Sequence, residues 1–326
     1  MRRLLIGLVT GTALVAATAC GSSDSSGSDD DKGKASGGGD TVTVKVGVIP
    51  IIDVAPLYLG QKKGFYSERG IELSLTSAQG GAAIVPGVVS GQFDFGFSNM
   101  TSLLTAQSKN VPVKAVVNGV ASTGEEGADF AELAVRKGSP LKSAKDVEGK
   151  KVAANTLNNI CDTSTRESVR KDGGDPSKVK FVEMPFDQMP AALEGGRVDA
   201  ACVVEPALAS IKAEGGTSIA SLFYDVSPDL TVAMYFTSQQ YTRKNPETVK
   251  KFQEATAESL EYADSHPAEV RKIISTYTKI PQPLVKSLVL PRWPAEPDRP
   301  SIERLAELGR QDGLFEKAPD LDKLLP

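Results

Sequence analysis

Histidine is nearly missing from this chain of 326 residues, which has one, His266. Tryptophan also occurs once, as Trp293, and cysteine three times, as Cys20, Cys161 and Cys202. His266 stands in the break Asp264-Ser265-His266-Pro267, with no Cys and no catalytic-type Ser arrangement around it. The thiols have no neighbouring His, so a His-activated nucleophile has no local support. The sequence holds no Gly-x-x-x-x-Gly-Lys phosphate loop, no metal-ligand cluster and no paired carboxylates. The expectation is a protein that is not an enzyme and carries no cofactor and no metal. Basic blocks are lacking too. The 37 Lys and Arg stand against 41 Asp and Glu, a net charge of −4, which argues against nucleic acid as a partner. Beyond the N-terminus no apolar run approaches membrane-spanning length.

At the N-terminus, Arg2 and Arg3 precede an apolar run from Leu4 to Ala19. A basic start, a short apolar stretch and small residues before a cleavage point describe an export signal over residues 1–19. Ala17-Thr18-Ala19-Cys20-Gly21 resembles a bacterial lipobox, in which the cysteine becomes a lipidated terminus, although Ala17 stands where that pattern favours Leu or Val. The alternative is a plain signal with an incidental Cys20. Residues 20–40 are rich in Gly, Ser and Asp, too polar to offset ordering entropy, and read as a tether. Without the signal, 35 basic residues face 41 acidic ones, and the body over 41–326 is mildly acidic. A body of this size has room for two lobes with separate cores. Cys161 and Cys202 form an even pair in an oxidising compartment. They are either bridged or, on the plainer reading, two separate buried thiols.

The body alternates short β-rich runs with helical stretches, the pattern of an α/β fold with crossover helices. A first set places strands at 41–48, 71–75, 93–97 and 113–117. A second set places them at 152–154, 179–183 and 198–204, and Thr231–Phe236 is a further β-rich run. From Asn245 onward the pattern is helical, opening with Pro246 in the first turn. "GQFDFGFSN" from Gly91 and "GRVDAACVVEP" from Gly196 share a Gly-x-apolar-Asp opening, so the two sets form a near-repeat. The expected organisation is lobe 1 over 41–129 and 237–326, and lobe 2 over 130–236. Two crossings near 129–135 and 230–237 join them, and the helical tail packs on lobe 1.

Strand-to-helix joints in open α/β sheets gather at one sheet end, where ligands bind and helix N-termini offer free N–H groups. Four joints here are small and polar: Gln79-Gly80-Gly81-Ala82, Ser98-Asn99-Met100-Thr101, Asn155-Thr156-Leu157-Asn158 and Glu205-Pro206. Each is also an ordinary capping sequence. Two acids follow strands among apolar neighbours, Asp53 and Glu205. Either a ligand amine or ring N–H donates to them, or they serve as caps or ion-pair members. Trp293 either stacks on a ligand ring at the cleft edge or packs the tail.

Four stretches carry a family resemblance: "APLYLGQKKGFYSERGIELSL" from Ala55, "GGAAIVPGVVSGQFDFGFSN" from Gly80, "SAKDVEGKKVAANT" from Ser143 and "VDAACVVEPALA" from Val198. Together they resemble substrate-binding proteins of ABC importers, of the nitrate/sulfonate/taurine and thiamine-pyrimidine-precursor type. The resemblance implies a two-lobed periplasmic-binding-protein-like (type II) fold that closes on a small solute. It further implies delivery to a permease and its ATPase from the outer face of the cell membrane, by a monomer held there through its lipid. By the same analogy Ile51, Asp53, Gly80, Gly81, Ser98, Asn99, Asn155, Thr156 and Glu205 contact the solute, with Phe186 and Trp293 as further candidates. No Arg stands at a joint to clamp an anion bidentately, since Arg166 lies two turns into its helix. The acids at 53 and 205 therefore favour an N–H-bearing heterocycle of pyrimidine type, or an amino-bearing small acid, over a bare anion; a taurine-like sulfonate stays within the family's range. Eukaryotic pyrimidine synthases of this family consume an active-site His, and this chain has no His at a joint. The alternatives are an enzyme on the same scaffold and a surface sensor lipoprotein without a transport partner.

Overall fold

The computed structural model describes residues 41–326. The expected signal over 1–19, the lipidation at Cys20 and the tether over 20–40 lie outside the described residues. Among the described residues ten strands form two mixed five-stranded sheets, the α/β two-lobed architecture expected. The first contains β1 (Val42–Val48), β2 (Ile71–Ser77), β3 (Phe95–Asn99), β4 (Val113–Ala121) and β10 (Thr231–Ser238), in the order β2-β1-β3-β10-β4. The second contains β5 (Ala131–Val135), β6 (Lys151–Ala154), β7 (Lys180–Glu183), β8 (Ala200–Val204) and β9 (Thr217–Ala220), in the order β7-β6-β8-β5-β9. In each sheet the first three strands are parallel, and the fourth, the first strand after a crossing, runs antiparallel to its neighbours.

The repeated Gly-x-apolar-Asp motif has a structural job. In lobe 1 the Asp94 carboxylate accepts from Lys45 N at 2.8 Å, and Asp94 N donates to Lys45 O. In lobe 2 Asp199 makes the same exchange with Lys151, again at 2.8 Å for the carboxylate bond. Each Asp satisfies an amide just ahead of the parallel pairing and so registers β3 on β1, or β8 on β6.

The lobe boundary differs from the sequence expectation. Thr231–Phe236, counted with lobe 2 up to residue 236, pairs with β3 and β4 and belongs to the first sheet. The crossings accordingly lie at 122–130 and 221–230. An alternating apolar run suits either sheet, and only tertiary pairing selects one.

Among the described residues twelve α-helices cover the sheets: α1 (Ala55–Lys63), α2 (Gly81–Ser90), α3 (Met100–Ser108), α4 (Ile160–Lys171), α5 (Met189–Glu194), α6 (Ala207–Ala213), α7 (Leu222–Val226), α8 (Gln239–Lys244), α9 (Pro246–Ser265), α10 (Pro267–Ile274), α11 (Arg299–Gln311) and α12 (Leu321–Leu324). On α9 the buried residues Val249, Phe252, Thr256, Ser259, Leu260 and Ala263 recur at three- and four-residue steps, one stripe facing inward. Phe252 stacks on Phe95 at 3.9 Å between centroids, which seats α9 on lobe 1. A Cβ on Gly60 of α1 would lie 1.8 Å from Ser259 Oγ, so α1 and α9 approach this closely only because residue 60 is glycine.

The tail also reaches lobe 2. Arg304 of α11 pairs with the buried Glu167 of α4 at 2.9 Å, and Arg170 of α4 pairs with Asp312 at 2.7 Å. Cys161 and Cys202 are bonded to one another rather than separate thiols, tying the first turn of α4 to β8. None of the helices among the described residues is long and apolar enough to cross a membrane.

Candidate functional site

The carboxyl ends of β1, β3 and β6 converge where the lobes meet, and a small cavity of about 30 Å³ lies between them. Ile49, Ile51, Asp53, Phe97 and Asn99 wall it from lobe 1, and Asn155, Ile160, Cys161, Phe186, Val204 and Phe223 from lobe 2. Val232 and Ala233 of the returning strand close the base.

Asp53 is positioned by local sequence. Pro50 and Pro56 bracket a single 3-10 turn, Ile52–Val54, that leads into α1, with Pro56 in its first turn. The side chain turns inward and is 2% exposed. Its Oδ1 is buried with no hydrogen-bond partner among the described residues. Burial pushes its pKa from 3.8 to about 7, and the negative charge of Asp129 in the first crossing adds to this. A buried carboxyl oxygen left unpaired costs about 1–3 kcal/mol or more, and this one lies on a residue that walls the cavity.

Asn99 caps α3 by accepting from Ser102 N at 2.9 Å through Oδ1, and the residue also walls the cavity. At the corresponding joint of lobe 2 the cap is Asn159, not Asn155. Its Oδ1 accepts from Cys161 N at 2.9 Å, and Asp162 completes a capping box. Burial raises Asp162 to about 6. Asn155 is freed to latch the lobes: its Nδ2 donates to Gln79 O at 3.1 Å, and Gln79 Nε2 donates to Asn155 O at 2.8 Å.

The remaining expected residues divide between the lobe seam and support positions. A Cβ on Gly80 would lie 2.7 Å from Asn155 Nδ2 and 2.8 Å from Thr156 Cγ2, so the backbone at Gly80 is where the lobes press together. Gly81 sits closer still on Ser98, at 2.0 Å from a Cβ to its Oγ, and that hydroxyl donates to Asn99 O; both support the joint rather than wall the cavity. Thr156 Oγ1 accepts from Asn159 Nδ2 at 2.8 Å, inside the lobe 2 loop. Glu205 does not face the cavity. Its Oε2 accepts from Ala209 N at 2.9 Å, its Oε1 from Val289 N at 3.1 Å, and both oxygens are thereby used in fixing α6 and the tail. Burial raises Glu205 to about 7. Its backbone carbonyl accepts from Ile52 N at 3.1 Å, a further bond between the lobes. Trp293 lies behind Asp53, 2% exposed, and its Nε1 donates to Asp53 O at 3.2 Å.

Ile51, Asp53, Asn99, Asn155 and Phe186 therefore come together around one cavity. Sequence reasoning missed the apolar walls, above all Phe97, Phe223 and Cys161. Their signal was present, since Phe97 ends the third β-rich run and Val204 precedes the Glu205 joint, but strand-end apolar residues read first as core. The one His stays apart: His266 is exposed and stacks on Tyr262 at 3.8 Å. Among the described residues no group of three or more His, Cys, Asp or Glu is placed to hold a metal ion.

A second, open cleft of about 540 Å³ adjoins this cavity. Ile49, Ile51 and Phe186 wall both spaces.

Comparison with known proteins agrees with this architecture. A family model described as NMT1/THI5 like matches residues 51–270. The Bacillus subtilis protein named as binding protein YtlA is 24% identical over 227 residues, 66% of this chain and 64% of that protein. The Saccharomyces cerevisiae 4-amino-5-hydroxymethyl-2-methylpyrimidine phosphate synthase THI12 is 24% identical over 230 residues, 67% of this chain and 65% of that one. The chain thus spans a little under two thirds of the length of these relatives. Among solved structures, the alkanesulfonate-binding protein SsuA from Xanthomonas axonopodis pv. citri, bound to MOPS, superposes with a TM-score of 0.75 at 16% identity, over 88% of this chain and all of that one. The periplasmic nitrate-binding protein NrtA from Synechocystis PCC 6803 gives 0.72 at 19% identity, over 88% and 86%. At these identities the likeness is one of fold, that of the periplasmic binding proteins. With its family model covering well over half its length, the chain belongs to the NMT1/THI5-like family.

Proposed function

We propose that this protein is the extracytoplasmic solute-binding component of an ABC importer, held at the membrane by lipid on Cys20, and that its solute carries an N–H donor. The observation that carries the reading is Asp53 Oδ1, buried without a partner in a cavity walled by both lobes. A ring N–H or amine offered there recovers the hydrogen bond and favours the ionised carboxyl. A bare anion such as nitrate meets the charge of Asp53 instead. The cavity's walls hold no Arg or Lys to offset that repulsion. Closure follows from the same geometry. The Gln79–Asn155 bonds and the Gly80 contact form only when the lobes meet, so a solute bridging them shifts the population toward the closed form.

The named functions of relatives support the class. SsuA and NrtA are binding proteins for small solutes, and the yeast relatives are named for a pyrimidine product. Transport partners and an outer-surface location are carried over from the importer reading.

The test is calorimetric titration with 4-aminopyrimidine, small amino acids, taurine and nitrate, on the native protein and on Asp53→Asn. The expected result is binding of an N–H-bearing compound that weakens at least tenfold in the variant. Tight binding of nitrate or a sulfonate, with no heterocycle or amine bound, would overturn the reading. Release of the protein from membranes on Cys20→Ala tests the anchor separately.

A further inference from the structure

The inner cavity, at about 30 Å³, has room for about two water molecules. Ligand sites for whole small organic molecules run to about 300–1,000 Å³. In the closed arrangement, then, the space at Asp53 admits a single donor group and not the body of a solute. The adjoining cleft has the missing volume, about 540 Å³, and the two spaces share Ile49, Ile51 and Phe186 as a common wall.

The chemistry of the cleft differs from that of the cavity. Its surface is largely Pro50, Pro185, Pro190, Pro206, Tyr277 and Ile280. The Tyr277 ring is fixed on both sides: it stacks on Tyr58 at 4.0 Å with planes 3° apart, and its hydroxyl donates to Ile51 O at 3.0 Å. That bond joins the cleft floor to the loop that carries Asp53. Prolines and a braced aromatic ring form a rigid apolar surface that costs little entropy to cover. The charged groups are Asp187 and Lys279, which pair at 3.4 Å across the rim, both exposed. A phosphate or carboxylate in the cleft would find that rim lysine as its one cation, the other polar walls being the neutral Ser77, Gln79, Ser210 and Thr278.

We infer that the solute has two parts: a compact N–H head that enters past Ile51 and Phe186 to Asp53, and an uncharged apolar or aromatic extension that lies in the outer cleft on Tyr277 and the prolines. This rests on the Asp53 reading for its head but on separate residues for its extension. The extension supplies most of the buried apolar area, and the head supplies orientation and selection.

The experiment compares 4-aminopyrimidine with its 5-benzyl derivative by calorimetry, and adds benzyl alcohol, which carries no N–H, as an apolar probe followed by ligand-observed NMR. Each is measured on the native protein and on Ser210→Trp and Thr278→Trp, which fill the cleft from lobe 2 and from the tail. Two variants guard against one failing to fold, which circular dichroism reports. The 5-benzyl compound is expected to bind at least tenfold tighter than the parent, and either Trp variant to remove that gain while sparing the parent. Equal affinity of the two pyrimidines, or a gain that survives both Trp variants, overturns the two-part solute. If neither pyrimidine binds, the Asp53 reading has failed and the cleft is judged by benzyl alcohol alone. Binding abolished by the Trp variants supports an apolar subsite there, and no binding overturns it.

Discussion

The indole of Trp293 donates a hydrogen bond to the backbone carbonyl of Asp53 across 240 residues of sequence, at 3.2 Å, with both residues buried. The tail thereby holds the turn on which the cavity's one unpaired acid sits. Because Trp293 is the chain's only tryptophan, its emission reports on that turn alone. We expect solute binding to shift the emission of the native protein. Trp293→Phe removes the donor but keeps an aromatic ring, and should weaken binding about three- to tenfold, the worth of one buried hydrogen bond. Unchanged affinity in Trp293→Phe would show that the turn does not need the tail.

On the proposed function, Asp53 sets stability against binding. Its carboxyl has a pKa of about 7 in the folded protein against 3.8 for a free side chain. Well below pH 4 it is neutral in both states and costs nothing. As pH rises toward 7 the unfolded chain ionises while the folded one resists, so this group's contribution falls through that window and is level above it. The gap corresponds to at most about 4 kcal/mol. Asp53→Asn should therefore melt higher than the native protein at pH 8, by about 5 °C, with the difference nearly gone at pH 4. Affinity for an N–H solute should move the other way in the native protein, rising with pH up to about 7. Melting curves and calorimetry at pH 4, 6 and 8 check both signs.

The closed seam makes a third prediction. Gly80 has an extended backbone that any residue can adopt, so a larger side chain there strains nothing locally. It does meet Asn155 and Thr156 when the lobes close, where a Cβ would lie at 2.7–2.8 Å. Gly80→Leu should hold the lobes apart, weaken solute binding tenfold or more and leave the melting temperature of the free protein almost unchanged. Small-angle scattering should show a radius of gyration that no longer contracts on adding solute. A variant that contracts normally would mean that the loops slide past one another instead.

The two-lobed plan was legible because strand and helix periodicities differ, and because the Gly-x-apolar-Asp stretch occurs in both halves. Its two aspartates, Asp94 and Asp199, turned out to register strands. Asp53 was legible for a physical reason: an acid between apolar neighbours after a strand has no local partner to satisfy it. Glu205 looked the same in sequence but is satisfied from 84 residues away by Val289 N, and no local pattern announces such a bond. The same holds for β10, whose apolar run suits either sheet, and for the cavity's apolar walls, which read as core because core residues and pocket linings share one chemistry.

Cys161 lines the cavity and is bonded to Cys202, 41 residues on. The bond fastens the first turn of α4, with Asn159 and the Asn155 loop before it, to β8, the strand just ahead of Glu205. Closing a loop of that length is worth about 4 kcal/mol in the chain-entropy model. Reduction, or Cys161→Ser with Cys202→Ser, should lower the melting temperature by about 8 °C or more. It should also loosen the lobe 2 wall, so that solute affinity falls several-fold even well below the melting transition. The paired serine variant separates the two effects. If its melting temperature drops while affinity at 10 °C matches the native protein, the bond serves stability alone. If both fall, the disulfide shapes the wall against which the solute closes.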